Sequence, residues 1–269
     1  MPAVDRLIDI GANLTHESFA DDLPDVLERA AAAGVIQLVV TGADLAGSEA
    51  ASNLAAQHDA LYATAGIHPH HATEADSQTM RAIAALLSER RVVAVGETGL
   101  DFFRDFSPRD LQEQAFEAHM ELAAETGLPM FLHERDAYPR FADMLRAARH
   151  RLGDVVVHCF TGDRPALHAY LDLNCHIGIT GWIGDERRGT HLIELIGDIP
   201  DEKLMLETDS PYLMPRTLRP KPRTRRNEPC HLLHIAEFIA DKRGTSIERL
   251  AALTSRNASR FFSLDAMPA

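Results

Sequence analysis

The sequence is poor in the features that would set it apart from ordinary soluble globular proteins. It has three cysteines among 269 residues and no Cys-x-x-Cys pair, so any disulfide scheme leaves one thiol unpaired. Such usage is typical of reduced thiols in a cytosolic protein. No apolar run approaches the roughly 18 residues of a membrane-spanning helix, and residues 1–6 contain no apolar signal core. We therefore expect a cytoplasmic protein without a membrane segment.

Basic residues are also scarce. There are 27 Lys and Arg against 40 Asp and Glu, which gives a formal net charge of −13. This excess of acid argues against adhesion to nucleic acid or anionic lipid over the whole surface. A polyanionic partner must then meet a local patch, and residues 212–226 supply one, with six Lys or Arg and no acid. Because this stretch contains Pro215, Pro220 and Pro222, we expect a loop rather than a helix. We call residues 212–226 the basic loop.

Short apolar runs alternate with helical patterns along the whole chain, and no linker or low-complexity segment interrupts them. The predicted strands are residues 7–10, 35–40, 62–67, 92–95, 130–132, 155–157, 176–179 and 204–206. Eight strands alternating with helices over 269 residues predict one α/β domain, residues 1–269, with the (β/α)₈ TIM-barrel fold. A doubly wound open sheet is the alternative, but no glycine-rich phosphate turn follows the first strand.

Ionisable residues follow four of these strands. Glu97 and His133 come at the ends of predicted strands four and five, and His158 and Asp209 at the ends of strands six and eight. In a parallel barrel all strand C-termini open on one face, where active sites are built. Each residue alone has an ordinary alternative, such as a helix cap or a hydrogen-bonded loop residue. Together they form a nitrogen and oxygen ligand set suited to Mg²⁺, Mn²⁺ or Zn²⁺.

Several motifs carry a resemblance that covers essentially the whole chain. They are GIHPH at 66–70, GETGLDF at 96–102, PMFLHERDA at 129–137, HCFTG at 158–162 and LETDSPY at 206–212, with RNEP at 226–229. With these motifs the sequence resembles the TatD-type metal-dependent nucleases of the amidohydrolase-like barrels, and most closely the TatD subgroup. The resemblance implies a divalent-metal phosphodiesterase that acts on DNA or RNA from the 3′ end. It also implies that Glu97, His133, His158 and Asp209 surround the metal.

The sequence departs from the family pattern at the end of strand one. Many relatives carry Asp-x-His-x-His there, whereas this chain has Asp9, Gly11 and Asn13 at the corresponding positions. A first metal would keep only Glu97, Asp209 and the Asn13 amide oxygen as ligands. We therefore expect one firmly held ion and a second, oxygen-rich position that fills when substrate phosphate supplies ligands. Mg²⁺ binds in this way, and we favour it over Mn²⁺ and Zn²⁺.

The remaining roles follow from this site. Asp209 would accept a proton from the attacking water, and Glu97 would hold or bridge the ions, so both are predicted to be catalytic. His68 would contact the phosphate, with a loop or helix-capping role as the alternative. Arg135 would clamp phosphate bidentately, or simply pair with a neighbouring acid. The predicted contacts to the phosphate backbone are Arg223, Arg225 and Arg226.

These features predict a 3′–5′ exonuclease that prefers single-stranded DNA, accepts RNA as a second substrate, and serves DNA repair or degradation without an obligate protein partner. Aromatic residues after the predicted strands suit the stacking of unpaired bases, or the packing of loops onto the barrel. They are Phe102, Phe103, Phe106, Trp182 and Tyr212. The main alternative is a small-molecule amidase or lactonase on the same barrel, which needs no basic loop. A non-catalytic binding protein is the third possibility.

Overall fold

The structure, a computed structural model, describes residues 6–265. Residues 1–5, which belong to the segment predicted to lack a signal core, lie outside that range. In the described part of the chain no helix is both long enough and apolar enough to cross a membrane. Cys159, Cys175 and Cys230 form no disulfide among the described residues.

Strands and helices alternate through residues 6–265. The strands are β1 (Leu7–Ala12), β2 (Val35–Val40), β3 (Leu61–Ala65), β4 (Val92–Asp101), β5 (Met130–Arg135), β6 (Val155–Val157), β7 (His176–Ile179) and β8 (Leu204–Leu206). The α-helices are α1 (Leu23–Ala32), α2 (Leu45–Gln57), α3 (Ser77–Leu86), α4 (Arg109–Thr126), α5 (Arg140–Ala148), α6 (Arg164–Asp172), α7 (Thr190–Leu195), α8 (Leu232–Arg243) and α9 (Ile247–Phe261). The sheet order follows the chain from β1 to β8. The predicted (β/α)₈ TIM-barrel fold is confirmed.

By backbone proximity the chain divides into two compact units. One unit contains the described residues up to Val39 and those from Ile177 onward, and the other contains Val40–His176. Below they are called the terminal unit and the central unit. The assignment of residues 1–269 to a single domain stays a prediction.

In the central unit β4 pairs in parallel with β3 and with β5. The sequence predicts that β4 ends before Glu97 and that β5 ends before His133. Both predictions are wrong, because β4 continues to Asp101 and β5 to Arg135. Glycine makes the extension possible: Gly96 has φ +145°, and a Cβ atom there would lie 2.1 Å from the carbonyl oxygen of Phe131. Gly99 has the same relation to the carbonyl of His133, at 2.0 Å.

In the terminal unit the ends of β1 and β8 are joined by backbone hydrogen bonds. The Asp209 N–H donates to the carbonyl of Gly11 at 2.8 Å, and the Asn13 N–H donates to the carbonyl of Ser210 at 2.7 Å. These bonds hold Asp209 in a left-handed backbone conformation, with φ 53°. Residues 212–226 contain no helix, as the prolines predict.

Candidate metal centre

Four side chains of the central unit meet around one carboxylate oxygen. Oε1 of Glu97 lies 2.7 Å from Nε2 of His158, 3.0 Å from Nδ1 of His133 and 3.4 Å from Nε2 of His68. Glu97 lies within β4, His133 within β5, and His158 directly after β6, so neighbouring strands supply three of the four. His68 follows β3. The structure thus brings together three of the four predicted ligands and the predicted phosphate contact.

The donor set fits a divalent cation. One ligand atom from each of His68, Glu97 and His133 can be chosen so that all three lie within 4.8 Å of one another. Nε2 of His133 is buried and forms no hydrogen bond of good geometry among the described residues, although Oδ2 of Asp101 lies 3.4 Å from it. Two or three imidazoles with a carboxylate are typical ligands for Zn²⁺ or Mn²⁺, and the carboxylate alone suits Mg²⁺. The residues therefore fit a divalent metal without fixing which one.

Burial and neighbouring charges shift the pKa values of the cluster in different directions. Burial alone would raise the pKa of Glu97, but His158, His68 and His133 outweigh it and hold that pKa well below its ordinary value. Burial alone would lower the pKa of His133, yet the carboxylates of Asp101 and Glu97 raise it. Burial lowers the pKa of His68 to about 4. At neutral pH the cluster therefore offers an anionic carboxylate and a neutral His68.

The tautomer of His68 separates its role from that of the other histidines. Nδ1 of His68 accepts a hydrogen bond from the backbone N–H of His70 at 3.1 Å. A neutral ring that accepts at Nδ1 carries its proton on Nε2, the atom directed at Glu97. In this tautomer His68 is a donor to an anion rather than a metal ligand. The ligand set of Glu97, His133 and His158 stays a prediction, and the tautomer gives His68 a separate role.

Sequence reasoning missed Asp101 and His70, which complete the cluster. Oδ2 of Asp101 lies 2.7 Å from Nε2 of His70 and 3.4 Å from Nε2 of His133. Oδ1 accepts the backbone N–H groups of Phe103 and Arg104 at 3.0 and 2.8 Å. Burial alone would raise the pKa of Asp101, but His133, His70 and the backbone N–H of Arg104 hold that pKa far below its ordinary value. Both residues stand in the motifs GIHPH and GETGLDF, which were the only available signal.

The family follows from comparison with known proteins. Residues 8–263 match the family described as TatD related DNase. The chain belongs to this family. It is 47% identical over 259 residues to the 3′-5′ ssDNA/RNA exonuclease TatD of Pantoea ananatis, covering 96% of this chain and 100% of that protein. The protein of the same name from Shigella flexneri is 48% identical over 258 residues, covering 96% of this chain and 99% of its own length.

Among solved structures, the TatD homolog YJJV of Escherichia coli K12 superposes with a TM-score of 0.89. It is 27% identical and covers 97% of this chain and 100% of its own. The resemblance drawn from the motifs is thus confirmed for the family and for the fold. Two buried side chains of α4 position the centre of this TatD-family protein.

His119 and Gln112 on α4 hold the segments that carry the cluster. Nε2 of His119 accepts the backbone N–H of Ile67 at 3.0 Å, while Nδ1 donates to the carbonyl of Ala115 at 2.6 Å. Burial lowers the pKa of His119 to about 4, so the ring stays neutral and keeps both bonds. Gln112 accepts the N–H of Asp101 at 2.8 Å and donates to the carbonyl of Ser107 at 2.9 Å. Nothing in the local sequence pattern distinguishes either residue from ordinary helical core.

Asp209 lies in the terminal unit, and its role at the metal stays a prediction. The side-chain amide of Asn13 donates to Oδ1 of Asp209 at 3.0 Å. Asn13 therefore orients Asp209 through its nitrogen, whereas the sequence suggested its oxygen as a ligand. Asp9 supports the same segment, because its buried carboxyl accepts the N–H and hydroxyl of Thr208 at 2.9 and 2.5 Å. Burial raises the pKa of Asp9 to about 7.

The predicted phosphate contacts differ in their surroundings. Arg226 donates to both carboxylate oxygens of Asp22 and to Glu228, each at 2.7 Å, so its guanidinium is engaged within the terminal unit. Arg223 and Arg225 are exposed in the basic loop. Arg225 lines a cavity of about 890 Å³, and Arg223 does not. Nε of Arg135 lies 3.9 Å from Oδ1 of Asp136, the neighbouring acid that is its alternative partner.

Proposed function

We propose that this protein is a divalent-metal-dependent 3′–5′ exonuclease that hydrolyses phosphodiester bonds of single-stranded DNA and of RNA. The observation that carries the proposal is the convergence of three histidines on Oε1 of Glu97 in a chain of the TatD-related DNase family. The names of the relatives that are 47–48% identical over nearly the whole chain support the substrate and the direction. The basic loop supports a polyanionic substrate.

The side chains divide into those that would hold the ion and those that would meet the substrate. Glu97, His133 and His158 would hold a divalent cation, and we propose Mg²⁺ for the oxygen-rich position to which Glu97 and the substrate phosphate contribute. When bound, that cation polarises a phosphate oxygen and makes a nearby water more acidic. Asp101 fixes the orientation of the His133 ring through the 3.4 Å approach to Nε2. Such outer partners commonly tune metal affinity by 10- to 100-fold.

Proton transfer and phosphate recognition fall to other residues in this proposal. Asp209, oriented by the amide of Asn13, is proposed to accept the proton of the attacking water. The neutral His68 presents Nε2–H as a donor to a phosphate oxygen, and Arg135 adds positive charge. Arg223 and Arg225 are proposed to contact the strand further along. Arg226 is engaged by Asp22 and Glu228. We therefore propose that Arg226 orients the basic loop and that it influences substrate contact through that loop.

The experiment is metal-dependent digestion of a labelled strand. Metal-stripped protein is incubated with a 5′-end-labelled single-stranded oligonucleotide, and Mg²⁺, Mn²⁺ or Zn²⁺ is added back singly. We expect a ladder that shortens from the 3′ end with at least one ion, and none with chelator. A strand with phosphorothioate linkages at its 3′ end is the matched control and should resist. Hydrolysis at internal positions, or no hydrolysis with any ion, contradicts the proposal.

Two statements about context belong to the same proposal. A cytoplasmic location rests on three cysteines that form no disulfide among the described residues, and action without an obligate protein partner rests on a centre whose proposed metal ligands come from one chain. Co-purification of endogenous protein and cell fractionation test both. A protein recovered only with a stoichiometric partner, or only from a periplasmic fraction, contradicts them.

A further inference from the structure

Two large apolar side chains are exposed beside the candidate metal centre. Phe103 and Phe106 are 55% and 67% exposed, whereas Phe116, Phe131 and Phe141 of the same unit are fully buried. Both exposed rings belong to residues 102–108, the loop that follows β4. A phenylalanine ring left in water forgoes the favourable free energy of burial. Side chains placed in this way commonly mark a binding surface.

The loop that carries these rings is anchored rather than frayed. Asp101 accepts the backbone N–H groups of Phe103 and Arg104. Gln112, which is fully buried, donates to the carbonyl of Ser107 at 2.9 Å, and the Ser107 hydroxyl donates to the carbonyl of His70 at 2.9 Å. The two rings are therefore presented from a fixed backbone, which lowers the entropy lost when a ligand packs on them.

The exposed rings continue directly into the histidine cluster. The ring centroid of Phe106 lies 4.7 Å from that of His70, and the His70 centroid lies 4.2 Å from that of His68. Phe103 lies three residues earlier in the same loop, and the guanidinium carbons of Arg135 and Arg104 lie 4.9 Å and 5.5 Å from its ring centroid. An aromatic face with guanidinium groups thus adjoins the place where a phosphodiester bond would be cut.

We propose that Phe103 and Phe106 form a stacking site for the unpaired base at the 3′ end of a single strand, with Arg104 and Arg135 facing the adjacent phosphate. The inference rests on the proposed function and names what selects its substrate. Aromatic rings combined with basic side chains are the means by which proteins bind single strands without sequence preference. Bases of an intact duplex are paired and stacked on one another, so they cannot occupy this site. Two rings are too little surface for a stable protein partner, which buries about 800 Å² on each side.

Fluorescence of a stacked base tests the site without turnover. An oligonucleotide with 2-aminopurine as its 3′-terminal base is titrated with Glu97→Gln protein, a background that keeps the strand uncut. We expect binding to quench the fluorescence. Adding Phe103→Ala and Phe106→Ala to this background should abolish the quenching and weaken binding about tenfold, the loss expected for one base–aromatic stack. Replacing both rings by Trp should retain the quenching.

The matched control is Phe238→Ala on α8. Phe238 is also a partly exposed ring with a cation over it, since Nζ of Lys242 lies 5.1 Å from its centroid. It has no part in the proposed site, so binding and quenching should equal those of the Glu97→Gln background. Equal quenching and equal affinity in the Phe103/Phe106 double variant overturn the proposal. Loss of binding in the Phe238→Ala control would also overturn the proposal, because it would show that strand binding does not depend specifically on Phe103 and Phe106.

A steady-state comparison separates base stacking from general strand binding. With Glu97 intact, the Phe103/Phe106 double variant should raise KM about tenfold on a strand with a normal 3′ nucleotide. On a strand with an abasic 3′ nucleotide, the double variant and the parent should have the same KM. An equal loss on both strands overturns the stacking site. If the parent cuts no strand but still quenches 2-aminopurine, the proposed hydrolysis fails while the stacking site stands.

Discussion

Replacement of Asp101 offers a sharp test of how the centre is assembled. The buried carboxylate accepts two backbone N–H groups and Nε2–H of His70. Asp101→Ala leaves these three donors without an acceptor, and each buried unpaired donor costs about 1–3 kcal/mol. Because His70 is partly exposed and can turn to water, we expect the free energy of unfolding to fall by about 3–5 kcal/mol. A loss of this size is unusual for a single substitution.

The isosteric variant divides geometry from charge. Asp101→Asn retains an oxygen for the N–H groups of Phe103 and Arg104 but exchanges charge-assisted bonds for neutral ones, a difference of about 1 kcal/mol for each bond. We expect a loss of about 1–2 kcal/mol in the free energy of unfolding, measured by urea denaturation of metal-free protein. Divalent-metal affinity, measured by calorimetric titration, should fall roughly 10- to 100-fold because the His133 ring loses its carboxylate neighbour.

Asp105→Asn is the matched control in the same loop. Asp105 is exposed and pairs only with Arg109 at the surface, so its replacement should change the free energy of unfolding by less than about 0.5 kcal/mol. Metal affinity should stay that of the parent. If Asp101→Ala behaves like this control in both measurements, Asp101 neither anchors the loop nor orients His133, and the reasoning is refuted.

Three further predictions concern the terminal unit. Asn13→Ala should leave turnover within about tenfold of the parent, because Asn13 orients a carboxylate instead of binding metal. Calorimetry of the parent without nucleic acid should show one tight ion per chain, and two tight ions would contradict this. Arg226→Ala should lower the free energy of unfolding in urea by about 1–3 kcal/mol. The Arg226 hydrogen bond is the largest cause that lowers the pKa of Asp22 from 3.8 to about 2, so the stability it adds is present above pH 4 and lost as the pH falls toward 2. The variant should lack that acid-dependent loss, and an unchanged profile from pH 5 to 2 would argue against the pairing. Replacing Arg223 and Arg225 by Ala should weaken oligonucleotide binding and flatten the log–log slope of affinity against salt by roughly one unit. Fluorescence anisotropy at about 50–200 mM salt measures both, and an identical slope would mean that the loop is only solvated surface.

Local sequence patterns determined most of the fold. The bounds of β2, β6, β7 and β8 agree with those predicted, because each is an apolar run that ends at a polar or turn-forming residue. The extensions of β4 and β5 escaped prediction for a physical reason. Glycine usually interrupts a strand, but Gly96 and Gly99 allow β4 to approach the carbonyls of β5 too closely for any side chain.

Contacts between distant residues set the remainder of the site. A sequence shows that Asp101 follows a glycine-rich strand, but not that its carboxylate lies 2.7 Å from His70, 31 residues away. Arg226 belongs to a run of basic residues, and only the fold reveals its pairing with Asp22, 204 residues away. The amide of Asn13 likewise had two possible orientations, and the partner 196 positions later selects the nitrogen as donor.

The aromatic residues show the same limit. Of those predicted to stack bases or pack loops, Trp182 is buried and Phe102 is half-buried beneath Arg109, with the guanidinium 4.3 Å from the ring. Phe103, Phe106 and Tyr212 are exposed. The sequence placed all of them after strands, but exposure depends on which loop atoms are anchored, and for the loop after β4 that anchoring comes from Asp101 and from Gln112 on α4.

The central claim, that the cluster around Glu97 is a metal-dependent phosphodiesterase centre, is tested most directly by the turnover of Glu97→Gln. The variant keeps the shape of the side chain and removes the charge on which three imidazoles converge. With saturating divalent metal and a single-stranded oligonucleotide, kcat/KM should fall at least about a thousand-fold, equivalent to roughly 4 kcal/mol of transition-state stabilisation. Circular dichroism of the metal-free variant should match that of the parent, so that the loss reflects the site rather than the fold. Near-normal hydrolysis by the folded variant would contradict the claim.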